Sequence, residues 1–291
     1  MTSSTPQASK NRKGLRFLLS RRWLGYFALL VVFATVCGFL SSWQFDRREQ
    51  RVDANHLVQT NFDAEARPIE EVLPTVDSFN ADQEWLSVLV EGEYLEDEQL
   101  LVRGRPRDGL PGFEILTPLE TSDGRIFIVN RGWLPTGAEQ DHPDSVPAAP
   151  AGEVSVTARL KPSEPEIPGR SAPEGQIATI HVETFAANLG EDRTYSDAYG
   201  LLRSETPSGE TGALVPKPEL TEGNHLSYAF QWIIFAIIAL VGLVYGVREE
   251  FRERNADDPR VLAAKKREAE RKARAKKSQA DYEDELIDSQ H

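Results

Sequence analysis

Cysteine and methionine are almost absent from this chain of 291 residues. The single cysteine, Cys37, lies within a long apolar run, and the single methionine is Met1. The chain therefore cannot form an internal disulfide, and it offers no thiol nucleophile outside that run. Soft copper ligation through Cys and Met sulfur is excluded for the same reason.

The sequence also lacks the common catalytic motifs. It contains no Gly-x-Ser-x-Gly elbow, no Walker A loop, no dinucleotide-binding fingerprint and no His-Glu-x-x-His. The segment 181–183, His-Val-Glu, resembles part of a zinc deaminase motif, but the cysteines which that motif needs are missing. His56, His142 and His181 are scattered, and we expect each in a surface or core position. These absences predict a protein that is not an enzyme.

Charged residues and prolines are missing from two long stretches, 23–43 and 226–247. An α-helix needs roughly 20 apolar residues to cross the core of a bilayer, and each stretch is long enough. We therefore expect two transmembrane helices over these residues. They divide the chain into a basic N-terminus (1–22), a central domain (44–225) and a charged C-terminal tail (248–291).

The charges on either side of the two stretches predict the orientation. Residues 1–22 contain six Lys/Arg and no acid, and Arg248 and Arg252 follow the second stretch. The central domain contains 15 Lys/Arg against 34 Asp/Glu, a net charge of −19. Because basic flanks stay in the cytoplasm, we expect both termini to be cytoplasmic and the central domain to be exported across a bacterial cell membrane.

A cleaved targeting segment is the competing interpretation of the first stretch. No small-x-small cleavage site follows Leu40, which argues against a signal peptide. A mitochondrial presequence fits the basic, Ser/Thr-rich composition of residues 1–22, but it would have to end almost inside the helix. Retention as a membrane anchor is the preferred interpretation.

The central domain is predicted to be mainly β. Short runs rich in β-branched and aromatic residues recur about every dozen residues, and Gly, Pro and Asp-Gly turns separate them. An antiparallel barrel or sandwich fits this spacing, with long loops over 143–150 and 162–173 and one short helix over 184–189. The five predicted strands are 86–92, 99–103, 112–117, 125–130 and 153–160.

The tail and the pairing of the two helices carry further expectations. Residues 259–279 are rich in Ala, Lys, Arg and Glu, which predicts a solvated helix or a disordered segment rather than a lipid- or ribosome-binding element. Small-xxx-small steps at Ala34/Gly38 and Gly242/Gly246 predict an antiparallel helix pair. With residue 23 level with 247, Gly38 would make room for the ring of Trp232.

Four motifs in the same order resemble the Surfeit locus protein 1 family. They are Trp-Gln-Phe-Asp-Arg at 43–47, Pro-Gly-Phe-Glu-Ile-Leu-Thr-Pro-Leu at 111–119, Val-Asn-Arg-Gly-Trp-Leu-Pro at 129–135, and Asn-His-Leu-Ser-Tyr at 224–228 followed by Trp232. The similarity spans roughly residues 22–250. One departure is visible: Ser41-Ser42 stands where the family often has Leu-Gly, which raises a question about the local packing.

The resemblance implies a function. Members of this family assist the assembly of cytochrome c oxidase, and bacterial members are associated with binding haem a for insertion into the catalytic subunit. It further implies oxidase subunits and haem a synthase as partners, a bilayer location and no nucleic acid. The family's haem-linked pattern is a His at the mouth of the second helix and a Trp two turns later, and His225 and Trp232 occupy those positions.

The residues themselves are compatible with this implication. One face of the second helix is formed by residues with helical spacing: His225, Tyr228, Ala229, Trp232 and Phe235. This face presents an imidazole beside an aromatic surface, with a small gap at Ala229 and another at position 236. A haem needs an axial nitrogen and apolar walls. The competing interpretation is an interfacial histidine within an aromatic belt.

Two further residues are candidates with ordinary alternatives. Asn224 can cap the second helix through its side chain. Arg131 can pair with a haem propionate, because a guanidinium matches a carboxylate, or it can form a structural salt bridge.

Two other functional classes stay open at this point. A stable, non-catalytic scaffold subunit of a respiratory oxidase complex would not need His225. A two-helix sensor would need a recognisable cytoplasmic output module, and residues 248–291 contain none.

Overall fold

A computed structural model of the protein describes residues 14–139, 141–256, 262–263 and 266–274. The basic residues Lys10, Arg12 and Lys13, and much of the predicted tail segment 259–279, lie outside the described residues. The described chain falls into two compact units. The helix unit contains the described residues up to Arg48 and those from Gly223 onward, and the barrel unit is Glu49–Glu222.

The helices and strands follow one another in a simple order. Short 3₁₀ turns occupy Leu15–Leu19, Ala81–Gln83 and Glu96–Glu98. In the tail, residues 266–274 are helical and mostly exposed, as a solvated helix requires. The remaining elements are α1 (Arg21–Asn61), β1 (Arg67–Pro68), α2 (Ile69–Val72), β2 (Ser87–Tyr94), β3 (Leu100–Arg103), β4 (Gly112–Thr121), β5 (Ile126–Pro135), β6 (Glu153–Pro162), β7 (Gln176–Ile177), α3 (Glu183–Leu189), β8 (Ala198–Thr206) and α4 (His225–Arg254).

Both apolar stretches are helical, and α1 and α4 are long and apolar enough to cross a membrane. The first helix is much longer than its apolar stretch, since α1 continues to Asn61. No glycine or proline interrupts residues 44–61, so nothing in the sequence ends the helix at the last apolar residue. Asn61 fixes the end of the helix within the barrel unit, where its side-chain amide donates to the carbonyls of Asp82 and Glu84 at 2.9 and 2.8 Å.

Five strands of the barrel unit close into a ring in the order β2-β6-β8-β5-β4-β2. The ring is antiparallel except for the parallel pair β5 and β8, which the expectation of an antiparallel barrel did not include. β2 pairs with β6 along its length and with β4 at its end, and Gly92 permits this second pairing. A Cβ at Gly92 would lie 2.1 Å from the carbonyl oxygen of Glu120, so only glycine fits where the ring closes.

The barrel interior is largely apolar and well covered. Val88, Val90, Phe127, Val129 and Val156 are completely buried, and they alternate along their strands with residues of the outer face. Burial of such side chains contributes about 1.5–3 kcal/mol each. Each of the five predicted strand runs overlaps an observed strand, and three of them begin one residue early, whereas β8 and the two-residue strands β1 and β7 were not predicted.

Within the helix unit, α1 and α4 pack as an antiparallel pair. Less exposed positions recur at alternating intervals of four and three residues along both helices, with Leu40 and Val247 in addition: 23, 27, 30, 34, 37, 41 and 44 in α1, and 225, 229, 232, 236, 239, 243 and 246 in α4. This heptad spacing is that of a left-handed helix pair. Ser41 donates to the carbonyl of Ala229 at 3.1 Å, and Arg22 pairs with Glu250 near the other end.

The expected register agrees with these contacts, but one expected detail was wrong. A Cβ at Gly246 would meet Trp23 at 3.5 Å, so this glycine does lie at the contact. Neither Gly38 nor Gly242 would have a neighbour within 4 Å of an added Cβ. Gly38 therefore does not accommodate the Trp232 ring. The contact passes through Cys37 and Ser41 instead, because the face of α1 that meets α4 is rotated away from Gly38.

Candidate functional site

His225 is the first residue of α4 and is half-buried. Asn224 occupies the N-cap position, but its side chain makes no capping hydrogen bond, so the expected side-chain cap was wrong. The backbone of Asn224, at φ −91° and ψ 14°, is not the extended conformation that normally directs an N-cap side chain toward the helix amides. Its carbonyl accepts the first helical hydrogen bond, from the amide of Tyr228 at 3.1 Å.

The imidazole of His225 is held from the opposite helix. Its Nδ1 lies 2.9 Å from Oε1 of Gln44 in α1. A carboxamide oxygen can only accept a hydrogen bond, so with Oε1 of Gln44 facing the ring this contact assigns the proton to Nδ1 as the donor. In the neutral ring the lone pair is then on Nε2, which is the nitrogen left to bind a metal.

Gln44 was not among the predicted site residues, although its position next to the first apolar stretch indicates that it lies close to His225. Gln44 follows the first apolar stretch directly, and His225 precedes the second directly. In an antiparallel pair these two positions are level with each other. The predicted register of residue 23 with 247 would have brought Gln44 beside Leu226, one residue from its observed partner.

The Nε2 side of the ring faces a backbone without a side chain. Gly223 has φ +67°, and a Cβ there would lie 3.4 Å from Nε2 and 3.3 Å from Cδ2 of His225. Among the described residues, no hydrogen bond to Nε2 is present. The same residues contain no group of three or more His, Cys, Asp or Glu side chains that could together hold a metal ion. The described side chains thus supply fewer than three such ligands around His225.

Aromatic side chains follow His225 along α4. Trp232 is half-buried and makes an edge-to-face contact with Phe235, with ring centroids 5.8 Å apart. Tyr228 is 49% exposed at the side of the helix pair. Ala229 is completely buried against α1, so the small gap expected at this position is filled by Ser41.

Arg131 lies in β5 of the barrel unit and is completely buried. Its Nη2 pairs with Oε1 of Glu205 at 3.1 Å and donates to the carbonyl of Glu210 at 2.9 Å. Nη1 donates to the carbonyl of Pro147 at 3.4 Å, and the guanidinium lies 5.2 Å from the centroid of the Tyr94 ring. The contacts of Arg131 are those of the structural salt bridge named as the alternative to a propionate partner.

The phenol of Tyr94 completes this buried cluster. Its hydroxyl donates to Oε2 of Glu205 at 2.8 Å. Burial, together with the adjacent Glu205 carboxylate, raises the pKa of Tyr94 well above its ordinary value, so the phenol remains a donor. Both oxygens of Glu205 are thereby engaged by side chains of the barrel interior.

Comparisons with known proteins agree with the motifs. The profile of the SURF1 family matches residues 31–237. An uncharacterised SURF1-like protein of Mycobacterium bovis is 32% identical over 248 residues, covering 84% of this chain and 90% of the relative. A SURF1-like protein of Monosiga brevicollis is 29% identical over 263 residues, with 84% and 92% covered. The matched range contains Gln44, Arg131, His225 and Trp232.

Proposed function

The chain belongs to the SURF1 family, a family linked to oxidase assembly, and we propose that it is a membrane-anchored assembly factor that carries haem a to cytochrome c oxidase. In this proposal His225 is the axial ligand of the haem iron. The observation that carries the proposal is the hydrogen bond from Nδ1 of His225 to Gln44, at 2.9 Å, which leaves Nε2 as the metal-binding nitrogen.

The donor set supports haem in preference to a bare metal ion. A zinc or copper site needs three or four protein ligands, and the described residues form no group of three or more His, Cys, Asp or Glu side chains that could hold such an ion. In a haem, the porphyrin supplies four nitrogen ligands to the iron, so one imidazole is a sufficient protein contribution. A single histidine at the mouth of an apolar helix therefore fits a macrocycle better than an ion.

The other residues of the site have supporting roles in this proposal. Trp232 and Tyr228 are the aromatic side chains along α4 next to His225, and they would provide the apolar walls that a porphyrin needs. The proposal assigns Arg131 a structural role, because its guanidinium is already bonded to Glu205 inside the barrel. Haem a is the cargo, and nothing in the proposed role requires this chain to catalyse a reaction.

The proposed location is a bacterial cell membrane with both termini in the cytoplasm. Most large side chains of α1 residues 24–39 and of α4 are exposed, which suits a helix pair surrounded by lipid. The acidic residues 44–225, with a net charge of −19, would be exported. The expected partners of the protein are the haem-bearing catalytic subunit of the oxidase and haem a synthase.

The test is the absorption spectrum of the full-length protein purified from cells that also make haem a. We expect His225→Ala to abolish the Soret band and His225→Met to shift it, because Met replaces the nitrogen donor with sulfur. Trp232→Ala should weaken haem retention without abolishing ligation, since it removes wall area and not the bond. His181→Ala, a histidine of the barrel unit, is the control and should leave the spectrum unchanged.

The haem content of the oxidase in the same membranes should fall with His225→Ala. An unchanged spectrum and a normal oxidase in that variant would refute the haem-carrier role. The scaffold interpretation would then stand, and stoichiometric copurification of the chain with the oxidase would support it.

A further inference from the structure

We propose that Gln44 is a positioning residue for the haem ligand: its amide oxygen fixes the ring of His225 from the opposite helix and strengthens Nε2 as a donor to iron. This inference rests on the proposed haem-binding function and adds a residue on α1 to a site otherwise built on α4. Ligating histidines commonly donate their second ring N–H to an oxygen, which sets the tautomer, the ring orientation and the basicity of the metal-binding nitrogen.

Gln44 is held in place by the contacts of its own helix. One turn before it, Ser41 donates to the carbonyl of Ala229 at 3.1 Å, and both residues are buried. The next residue, Phe45, packs edge-to-face on Phe230 with ring centroids 6.1 Å apart. Gln44 itself is half-buried, and its amide oxygen contacts His225 of the opposite helix.

The contact couples the ligand to the helix pair. His225 Nδ1 and Gln44 Oε1 lie 2.9 Å apart across residues separated by 181 positions in the sequence. The tautomer of the ring therefore depends on the packing of α1 on α4. A histidine at the same place without Gln44 would distribute its proton over both nitrogens, and part of the population would present no lone pair at Nε2.

The variants that separate these effects differ in one chemical property each. Gln44→Leu removes the acceptor at nearly constant volume. Gln44→Glu keeps an acceptor and adds negative charge, which makes the imidazole a stronger donor. Gln231→Leu is the matched control, because it makes the same change at an exposed position of α4 near the same end of the helix pair.

The first measurement needs no haem. In the full-length protein labelled with ¹⁵N-histidine, without haem and in detergent, the ring nitrogens should show the Nδ1–H tautomer for His225. Gln44→Leu should give a mixture of tautomers, and Gln231→Leu should match the unchanged protein. An Nε2–H tautomer in the unchanged protein would overturn the proposal.

The second measurement uses the haem-loaded protein. Gln44→Leu should lower haem affinity by about 10–100-fold, the usual effect of losing a partner behind a metal ligand. The midpoint potential should rise in Gln44→Leu and fall in Gln44→Glu, because a stronger imidazole donor favours ferric iron. A merely structural role for Gln44 would not move the potential in opposite directions.

The outcomes distinguish the two proposals. If the unchanged protein binds no haem, the proposed function fails and this inference fails with it. If the unchanged protein binds haem and Gln44→Leu does so with the same affinity and potential, the positioning role of Gln44 is refuted and the haem proposal stands.

Discussion

The buried pair of Arg131 and Glu205 permits a strong prediction about the stability of the barrel. Glu205→Leu would leave the Arg131 guanidinium without its carboxylate in a site that excludes water, where the Arg131 side chain is 0% exposed and that of Glu205 is 3% exposed. Breaking a buried ion pair by removing one partner typically costs about 3–5 kcal/mol, because an uncompensated charge remains. The hydroxyl of Tyr94 would also lose its acceptor.

The double variant tests the cause of that loss. Replacing buried ion pairs by apolar residues of similar volume is often close to neutral, so Arg131→Met combined with Glu205→Leu should recover most of the stability lost by Glu205→Leu alone. Recovery will be incomplete, because the carbonyls of Pro147 and Glu210 lose their donor. Glu210→Leu makes the same substitution at an exposed side chain five positions away and should change the free energy of unfolding little.

Hydrogen exchange of the full-length protein in detergent measures the effect. Amides of β5 and β8 should exchange faster by a factor between about one hundred and several thousand in Glu205→Leu, since each 1.4 kcal/mol is tenfold. In a domain of this size the same loss lowers Tm by about 2–4 °C per kcal/mol. A change below about 1 kcal/mol would refute the reasoning. A loss of haem binding in a folded double variant would support the alternative role of Arg131 as a haem propionate partner.

Two more predictions concern the helices. In a cysteine-free background, cysteines replacing Ser41 and Ala229 should crosslink in membranes. Cysteines replacing Gly38 and Ile233 should not, because these positions are level with each other but outside the contact face. The reverse result would contradict the observed packing. Reporter fusions near residue 140 should indicate an exported location and fusions near residue 285 a cytoplasmic one, because basic flanks are retained. An exported C-terminus would contradict the arrangement with two membrane-spanning helices.

Local patterns predicted a large part of the barrel. The runs that became β2, β4, β5 and β6 are rich in β-branched residues and bounded by turn residues, and such a signal is read within a few positions of the chain. β8 was missed because its run contains Gly200 and lacks a clear alternation. The parallel pairing of β8 with β5 could not be predicted from local patterns either, because it depends on a crossover through β6 and α3.

Burial of charge was the least predictable feature of the barrel. An arginine in a sequence is normally expected at the surface, yet Arg131 is fully buried. What permits this is a carboxylate 74 residues later in the chain, supported by a tyrosine from a third strand. The motif that contains Arg131 pointed to the family, but no local signal distinguished a haem partner from a structural ion pair.

The packing at residue 41 connects the helix pair to the candidate site. The hydroxyl of Ser41 is satisfied by the carbonyl of Ala229 at 3.1 Å, so the serine is buried at little cost. Both side chains are small, which allows the helices to approach closely at this level. Gln44 lies three residues after Ser41, and His225 lies four before Ala229. The close contact therefore places amide and imidazole within hydrogen-bond distance, which is the geometry on which the proposed ligand depends.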